Sequence, residues 1–268
     1  MTEKNPFVVE KKDHIAWLIL NNPERRNAMG LAFFNDIVDH FKDFDNDPEI
    51  RVVVIKGEGS CFSSGIDLAG LASLVTGGGA DSRENLRKTI LKGQEAASCI
   101  EKCTKPVIAA VHSHCIGGGV DLLSACDIRI ASKDAVFSVR EVRLAVIADV
   151  GTLQRLPHII GHGWFRELAL TGRDFSAEEA LKMGFITRIC EDKEALFQEA
   201  EKLALEIAGL APLAVQGAKD VLIYSRDNGI YPGLQYVAQK NAAAMISEDA
   251  LEAIAAFMEK RKPVFKGK

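Results

Sequence analysis

No run of about eighteen apolar residues occurs anywhere in the 268-residue chain, so no membrane-spanning helix is expected. Residues Met1 to Glu10 are polar and charged and lack the apolar centre of a secretory signal. The closing residues, Phe265-Lys266-Gly267-Lys268, are not a Ser-Lys-Leu type peroxisomal address. Cytoplasmic residence is the default expectation. Cysteine is sparse, with six residues at 61, 99, 103, 115, 126 and 190, too few for a disulfide framework in a chain this long. All six read as reduced thiols. A basic excess is missing too: 33 Lys and Arg stand against 37 Asp and Glu, a net charge of −4, so no nucleic-acid partner is expected. His112-x-His114, and His158 with His162, have no third ligand nearby, and no H-E-x-x-H occurs, so no metal is expected. The absence of G-x-S-x-G argues against a serine hydrolase of that type.

What is present is an ordinary globular balance, 47% hydrophobic and 26% charged. Ile15 to Leu20 is a short apolar run closed by Asn21-Asn22-Pro23, a buried strand and turn. Phe34, Ile37, Val38, Phe41 and Phe44 recur at helical spacing and predict a helix over 31–45. Ile50 to Ile55 and Val107 to Val111 are further apolar strands, and short strands are expected at 127–131 and 136–139. Residues 75–82, with Gly77-Gly78-Gly79, read as a mobile loop, followed by a polar helix over 83–102. Beyond about residue 160 helices dominate. Ser176 and Glu179 form a capping-box pair with Gly184 as the stop, 192–208 is a long helix, and Pro212 fits the first turn of the next. A final helix is expected at 248–260. The alternation of apolar strands and helices predicts an α/β part with a mostly parallel sheet, then a helical part.

Two glycine-bearing loops stand out. Ile116 to Leu122 reads IGGGVDL directly after a strand. Three consecutive glycines are costly in backbone entropy, so a run of them marks a sharp turn or a close approach. A glycine turn opening a helix also presents unpaired N–H groups at the positive end of the helix dipole, a site for a developing oxyanion. The spacing is neither a dinucleotide fingerprint nor a Walker A loop. Taken alone, the run fits a tight strand-to-helix turn equally well, and Asp121 two residues on fits a carboxylate stabilised in a helix first turn. Phe62-Ser63-Ser64-Gly65-Ile66-Asp67-Leu68 is a second such loop. Two separated loops, each offering a backbone N–H, are what a thioester oxyanion hole needs, each donor contributing about 3 kcal/mol to the transition state.

These segments together resemble the crotonase, or enoyl-CoA hydratase/isomerase, superfamily. Phe62 to Asp67 resembles its F-x-x-G-x-D motif and Ile116 to Asp121 its glycine-run motif. Asn21-Pro23 through Asn27-Ala28-Met29, Lys105 to Val111, Ala125 to Arg129 and Lys262 to Phe265 match in order along nearly the whole chain. The resemblance implies an α/β spiral of ββα units over 1–200 and a helical oligomerisation region over 201–268. The implied assembly is a homotrimer or homohexamer. It also implies an acyl-CoA thioester substrate, with coenzyme A part of the substrate and no separate cofactor. By resemblance the N–H groups of Ile66 and Gly118 form the oxyanion hole. Arg25 and Arg26 lie near CoA phosphates, Ala28 and Ser64 near the adenine, and Gly65, Asp67, Leu68, Gly117 and Gly119 line the substrate.

Three acids decide the expected chemistry. Hydratases carry one glutamate after the glycine run and a second about twenty residues later; here these positions are Asp121 and Glu141. A third, Asp149, stands among apolar neighbours, where an ionisable group is uncommon without a partner or a function. Taken separately, Glu141 and Asp149 fit structural carboxylates. Together with the stretch from Ile147 to Pro157, the three acids resemble the dienoyl-CoA isomerase pattern within the family. Moving two double bonds toward the thioester takes a proton from C2 and delivers one to C6, too far apart for one small carboxylate. Asp149 is expected as base at C2, Glu141 as acid at C6, and Asp121 as their electrostatic partner. A 2-enoyl-CoA hydratase, a single-bond isomerase and a non-catalytic acyl-CoA-binding or RNA-binding scaffold are the alternatives. Three places depart from the pattern: His112-Ser113-His114 where relatives carry glycine or small residues, Arg143 in place of an acid, and Ala145 in place of glycine.

Overall fold

The structure is a computed structural model describing residues 5–74 and 78–268. Its strands are β1 (Phe7–Lys12), β2 (Ile15–Leu20), β3 (Val52–Gly57), β4 (Val107–Val111), β5 (His114–Ile116), β6 (Ile128–Ser132), β7 (Val136–Ser138), β8 (Asp174–Ser176) and β9 (Arg188–Cys190). Its helices are α1 (Leu31–Asn46), α2 (Leu68–Leu74), α3 (Ala80–Lys102), α4 (Gly118–Ala125), α5 (Thr152–Ile160), α6 (His162–Thr171), α7 (Ala177–Met183), α8 (Lys193–Ala208), α9 (Pro212–Asn228), α10 (Ile230–Ala244) and α11 (Glu248–Met258).

Six strands form one sheet in the order β1-β2-β3-β4-β6-β9, antiparallel at the β1/β2 edge and parallel elsewhere. A second sheet has the order β5-β7-β8. Successive strands alternate between the two: β4 then β5 then α4, β6 then β7 then α5. Each of these two turns gives a strand to each sheet and then a helix, in the ββα manner expected.

The central parallel strands are apolar through residues 52–55 and 107–111 because both faces are covered. Val53, Ile55, Ala109 and Val111 point into the main core with Phe33, Ile37, Phe41 and Phe44 of α1. Their neighbours Val52, Val54, Ile108 and Ala110 face Leu196, Ala200, Leu203 and Ala204 of α8. The apolar stripe of α1 is rotated from the expected one: Phe33 is buried, whereas Phe34 and Val38 are only partly covered.

Locally encoded features appear where expected. Ser176 and Glu179 form a reciprocal capping box, Gly184 closes that helix, Asp192 caps α8, and Pro212 opens α9. Two expectations need correction. Residues 80–82, read as loop, are the first turn of α3, since Gly79 ends the glycine run and Ala80 is free to start a helix; residues 75–77 of that proposed loop lie outside the described residues. His158 and His162, read at helical spacing, sit on different helices, α5 and α6, separated at Gly161. Arg51, beside β3, ties the fold together: its guanidinium donates to the Ala208 carbonyl at 2.9 Å and to the Phe265 carbonyl at 2.8 Å. Among the described residues, no helix is long and apolar enough to cross a membrane.

Candidate active site

The two glycine loops meet at the end of β5. Phe62 and Ser63 donate their N–H groups to the His112 and His114 carbonyls, both at 3.0 Å, and Ile116 N–H donates to the Ser63 carbonyl at 3.1 Å. A second ladder holds the outer side: Met29 N–H donates to Gly65 O at 2.8 Å and Asp67 N–H to Met29 O at 2.9 Å. Gly65 is obligatory. Its φ is +91°, and a Cβ there would lie 2.7 Å from the Ile116 carbonyl oxygen. A Cβ on Gly118 would come within 3.8 Å of the Ile66 nitrogen, so the two residues expected to supply the oxyanion donors are close neighbours. Neither N–H donates to a backbone carbonyl among the described residues. Gly119 is small for a different reason, since a Cβ there would meet Cys115 Sγ at 2.9 Å.

Asn27 pins the first loop. It is buried, with φ +53°, and its Nδ2 donates to the carbonyls of Glu58, Cys61 and Phe62 at 2.9–3.1 Å while Oδ1 accepts from Asn22 N–H at 2.9 Å. Every polar atom of its amide is engaged. The sequence placed Asn27 in a CoA-contacting turn; the structure makes it the internal brace of that turn. Ser64 N–H donates to the Arg26 carbonyl, fixing Arg26 and Ala28 beside the loop. Arg25 pairs with Asp67 at 3.0 Å, and the other Asp67 oxygen accepts from Ala69 N–H before Leu68 opens α2.

The three acids arrive from three elements. Asp121 lies in the first turn of α4 and is 2% exposed. Its Oδ1 accepts from the Thr152 N–H at 2.8 Å and from the Thr152 hydroxyl at 2.6 Å. Burial and the nearby Glu141 charge push its pKa up to about 7, against the lowering effect of the two Thr152 bonds. Glu141 begins a short 3-10 turn, Glu141–Leu144, and its Oε1 lies 3.1 Å from where a Gly117 Cβ would be. Its Oε2 is buried without a hydrogen-bond partner. Burial raises its pKa, and the Asp149 charge adds to this. Asp149 stands before α5, half-buried, and burial raises its pKa as well. All three carboxyls therefore lie within electrostatic reach of one another beside the glycine turn. Asp149 also lines a cavity of about 360 Å³ between α3, α5 and α9.

Two contributors escaped the sequence reading. Thr152 lies in the quoted 147–157 stretch but carried no role, and Gln94 of α3, whose Nε2 donates to the Asp149 carbonyl at 2.9 Å, has no local signal at all. Ala145, in the departure from glycine, has φ +56°, the left-handed conformation that glycine would adopt freely. His112 is buried with Nε2 on the Gly59 carbonyl at 3.1 Å, packed edge-on against Phe197 and away from the acids. Among the described residues, no group of three His, Cys, Asp or Glu side chains is placed to hold a metal ion.

Residues 10–268 match the enoyl-CoA hydratase/isomerase family. The peroxisomal Δ3,5-Δ2,4-dienoyl-CoA isomerase of Arabidopsis thaliana is 47% identical over 253 residues, covering 92% of this chain and 91% of its own length. The mitochondrial Δ3,5-Δ2,4-dienoyl-CoA isomerase of Homo sapiens is 43% identical over 260 residues, covering 95% of this chain and 79% of its own. The crystal structure of an enoyl-CoA hydratase from Bacillus anthracis superposes with a TM-score of 0.91 at 32% identity, covering 98% of this chain and all of that one.

Proposed function

Since this chain belongs to the enoyl-CoA hydratase/isomerase family, we propose that it is a Δ3,5-Δ2,4-dienoyl-CoA isomerase acting on unsaturated acyl-CoA thioesters in fatty-acid β-oxidation. The observation that carries this reading is the third carboxyl: Asp149 joins Asp121 and Glu141 in one cluster, and the pKa of each is raised. Hydration needs only two acids. Transposition of two double bonds needs proton transfer at two distant carbons, and the third acid supplies the second site.

The thioester carbonyl accepts from the N–H groups of Ile66 and Gly118, which stabilise the enolate as it forms. Asp149, ionised, takes the proton from C2. Glu141, protonated, delivers one to C6; its Oε2, buried without a protein partner, holds that proton toward the substrate. Asp121 is held by Thr152 within the same cluster, while burial and the Asp149 charge keep Glu141 protonated. Arg25, Arg26, Ala28 and Ser64 receive the CoA phosphates and adenine, while Gly65, Asp67, Leu68, Gly117 and Gly119 wall the thioester. The exposed Arg25–Asp67 pair is free to open for a phosphate, being a surface ion pair of small intrinsic strength.

The helical region beyond residue 200 is proposed to assemble the protein as a homotrimer or homohexamer. Ile230, Ile246, Ile254 and Phe257 are between 60% and 88% exposed there, more apolar surface than an isolated chain keeps in water. The proposed compartment is the reducing cytoplasm, in keeping with six free cysteines.

The test is ultraviolet absorption of the purified protein with a 3,5-dienoyl-CoA, and with a 2-enoyl-CoA in parallel. Growth of the conjugated 2,4-dienoyl thioester band, with little hydration of the enoyl substrate, is expected. Loss of the enoyl thioester band alone would make the protein a hydratase using Asp121 and Glu141.

A further inference from the structure

The turn that carries Asp149 and Thr152 is gripped from outside the acid cluster by one face of α3. Gln94 donates to the Asp149 carbonyl at 2.9 Å. One helical turn on, the Ser98 hydroxyl accepts from Arg155 Nη2 at 3.1 Å, and Glu101 Oε2 lies 3.2 Å from Arg155 Nε as an ion pair without hydrogen-bond geometry. Arg226 of α9 binds the other Glu101 oxygen. Arg155 belongs to the first turn of α5, and its own N–H donates to the Gly151 carbonyl at 3.0 Å. Its side chain folds back over that same glycine: a Cβ on Gly151 would lie 1.9 Å from Nη1. Gly151 has φ +130°, so the turn needs glycine both for its backbone and for the guanidinium lying against it.

The chemistry of this cluster is unusual for a stabilising contact. Arg155 and Glu101 are only 12% and 17% exposed. A buried ion pair loses hydration that its attraction barely returns, and apolar residues of the same shape would serve stability as well. What a planar guanidinium adds is direction. It meets Ser98, Glu101 and the face of Gly151 at once, which the point charge of a lysine cannot do.

We propose that Arg155 is a positioning residue for the reaction: clamped by Ser98 and Glu101, it fixes residues 149–152 and so sets the separation of Asp149 from Asp121 and Glu141. The inference rests on the three-acid reading above. It places the arginine outside the reacting atoms and acting through the backbone of the turn. Displacing a catalytic group by about 1 Å can cost on the order of 100-fold in rate.

The experiment compares Arg155→Gln, Arg155→Lys and Gln94→Leu with the wild type, well below their unfolding midpoints. Arg155→Gln is expected to lower isomerase kcat by about 10- to 100-fold with KM changed less than about threefold, and to displace the pH profile. Arg155→Lys should recover only part of the rate. A folded Arg155→Gln with wild-type kcat and pH profile overturns the proposal. Should Arg155→Gln not fold, Gln94→Leu decides by the same readouts, because it loosens the same turn without disturbing the ion pairs; a wild-type profile there also overturns it. A wild type silent toward dienoyl-CoA would sink the isomerase reading alone. Infrared titration of the buried carboxyls, assigned by the Asp121→Asn difference, then decides. A shifted Asp121 titration in the Arg155 or Gln94 variant supports the positioning role, and an unshifted one ends it.

Discussion

Thr152 donates twice to the same oxygen of Asp121, once from its backbone and once from its hydroxyl. Two donors on one carboxylate oxygen favour the charged form, whereas complete burial and the neighbouring Glu141 favour the neutral one. Burial wins, and the balance leaves the group titrating near neutrality.

That balance makes stability depend on pH. The folded-state pKa of Asp121, about 7, lies above the ordinary value of 3.8. Between these values the folded protein holds a proton that the unfolded chain releases, so its contribution to stability falls as pH rises through the window. Asp121→Asn keeps an acceptor for Thr152 and cannot ionise. At pH 8 it should be more stable than the wild type by about 1–3 kcal/mol, and the difference should vanish below about pH 4. Denaturant unfolding at both pH values measures this; an equal difference at the two would refute it. Thr152→Val should push the Asp121 pKa higher still.

The acid pair should separate in the pH profile. Asp149 must be ionised and Glu141 protonated, so isomerase kcat should be bell-shaped, with both limbs displaced upward from ordinary carboxyl values because both pKa values are raised. Asp149→Asn should lose at least about 100-fold in kcat, as should Glu141→Gln, since each removes one of the two proton transfers. Stopped-flow absorbance at the 2,4-dienoyl band reads this directly. Retained turnover by Asp149→Asn would remove it from the mechanism.

Gly65→Ala places a methyl against the Ile116 carbonyl and forces a positive φ on alanine. The loops must part, and the Ile66 and Gly118 donors with them. Loss of one oxyanion donor costs about 100- to 1000-fold in kcat. The variant should show that loss, while a Ser60→Ala control, on the exposed approach to the loop, stays within a few-fold. Steady-state kinetics distinguish them.

Glycine loops, strands and capping residues could be read from the chain because their causes are local. The Ser176–Glu179 box needs only four residues, and β4 needs only an apolar run. The β1 strand escaped notice because of Phe7–Lys12 only Phe7 is buried; its order comes from pairing with β2, Phe7 opposite Leu20 through to Lys12 opposite Ile15. The three acids stood out by type and spacing, but what tunes them did not. Thr152 meets Asp121 across 31 positions, and Gln94 meets Asp149 across 55. Such partners are chosen by the packing of α3, α4 and α5, and no periodicity in the sequence reports it.

Ala145 offers an independent check on strain. It holds φ +56° at the end of the turn that begins with Glu141. An L-residue in the left-handed region costs about 1–2 kcal/mol, part of which glycine would return as greater freedom of the unfolded chain. Ala145→Gly should raise stability by up to about 1 kcal/mol, read as the midpoint of denaturant unfolding. A loss of stability would mean that the methyl group contributes packing worth more than the strain.

Arg51 has a consequence for how the molecule is made. Its guanidinium waits for the Phe265 carbonyl, 214 positions further on. At about 5–20 residues per second, a ribosome needs roughly 10–40 s to supply that partner. Ala208, 157 positions on, supplies the first acceptor earlier, and until Phe265 follows the guanidinium is only half engaged. The tie between the tail and the sheet is therefore a late event in synthesis, and the growing polypeptide must stay soluble while it waits.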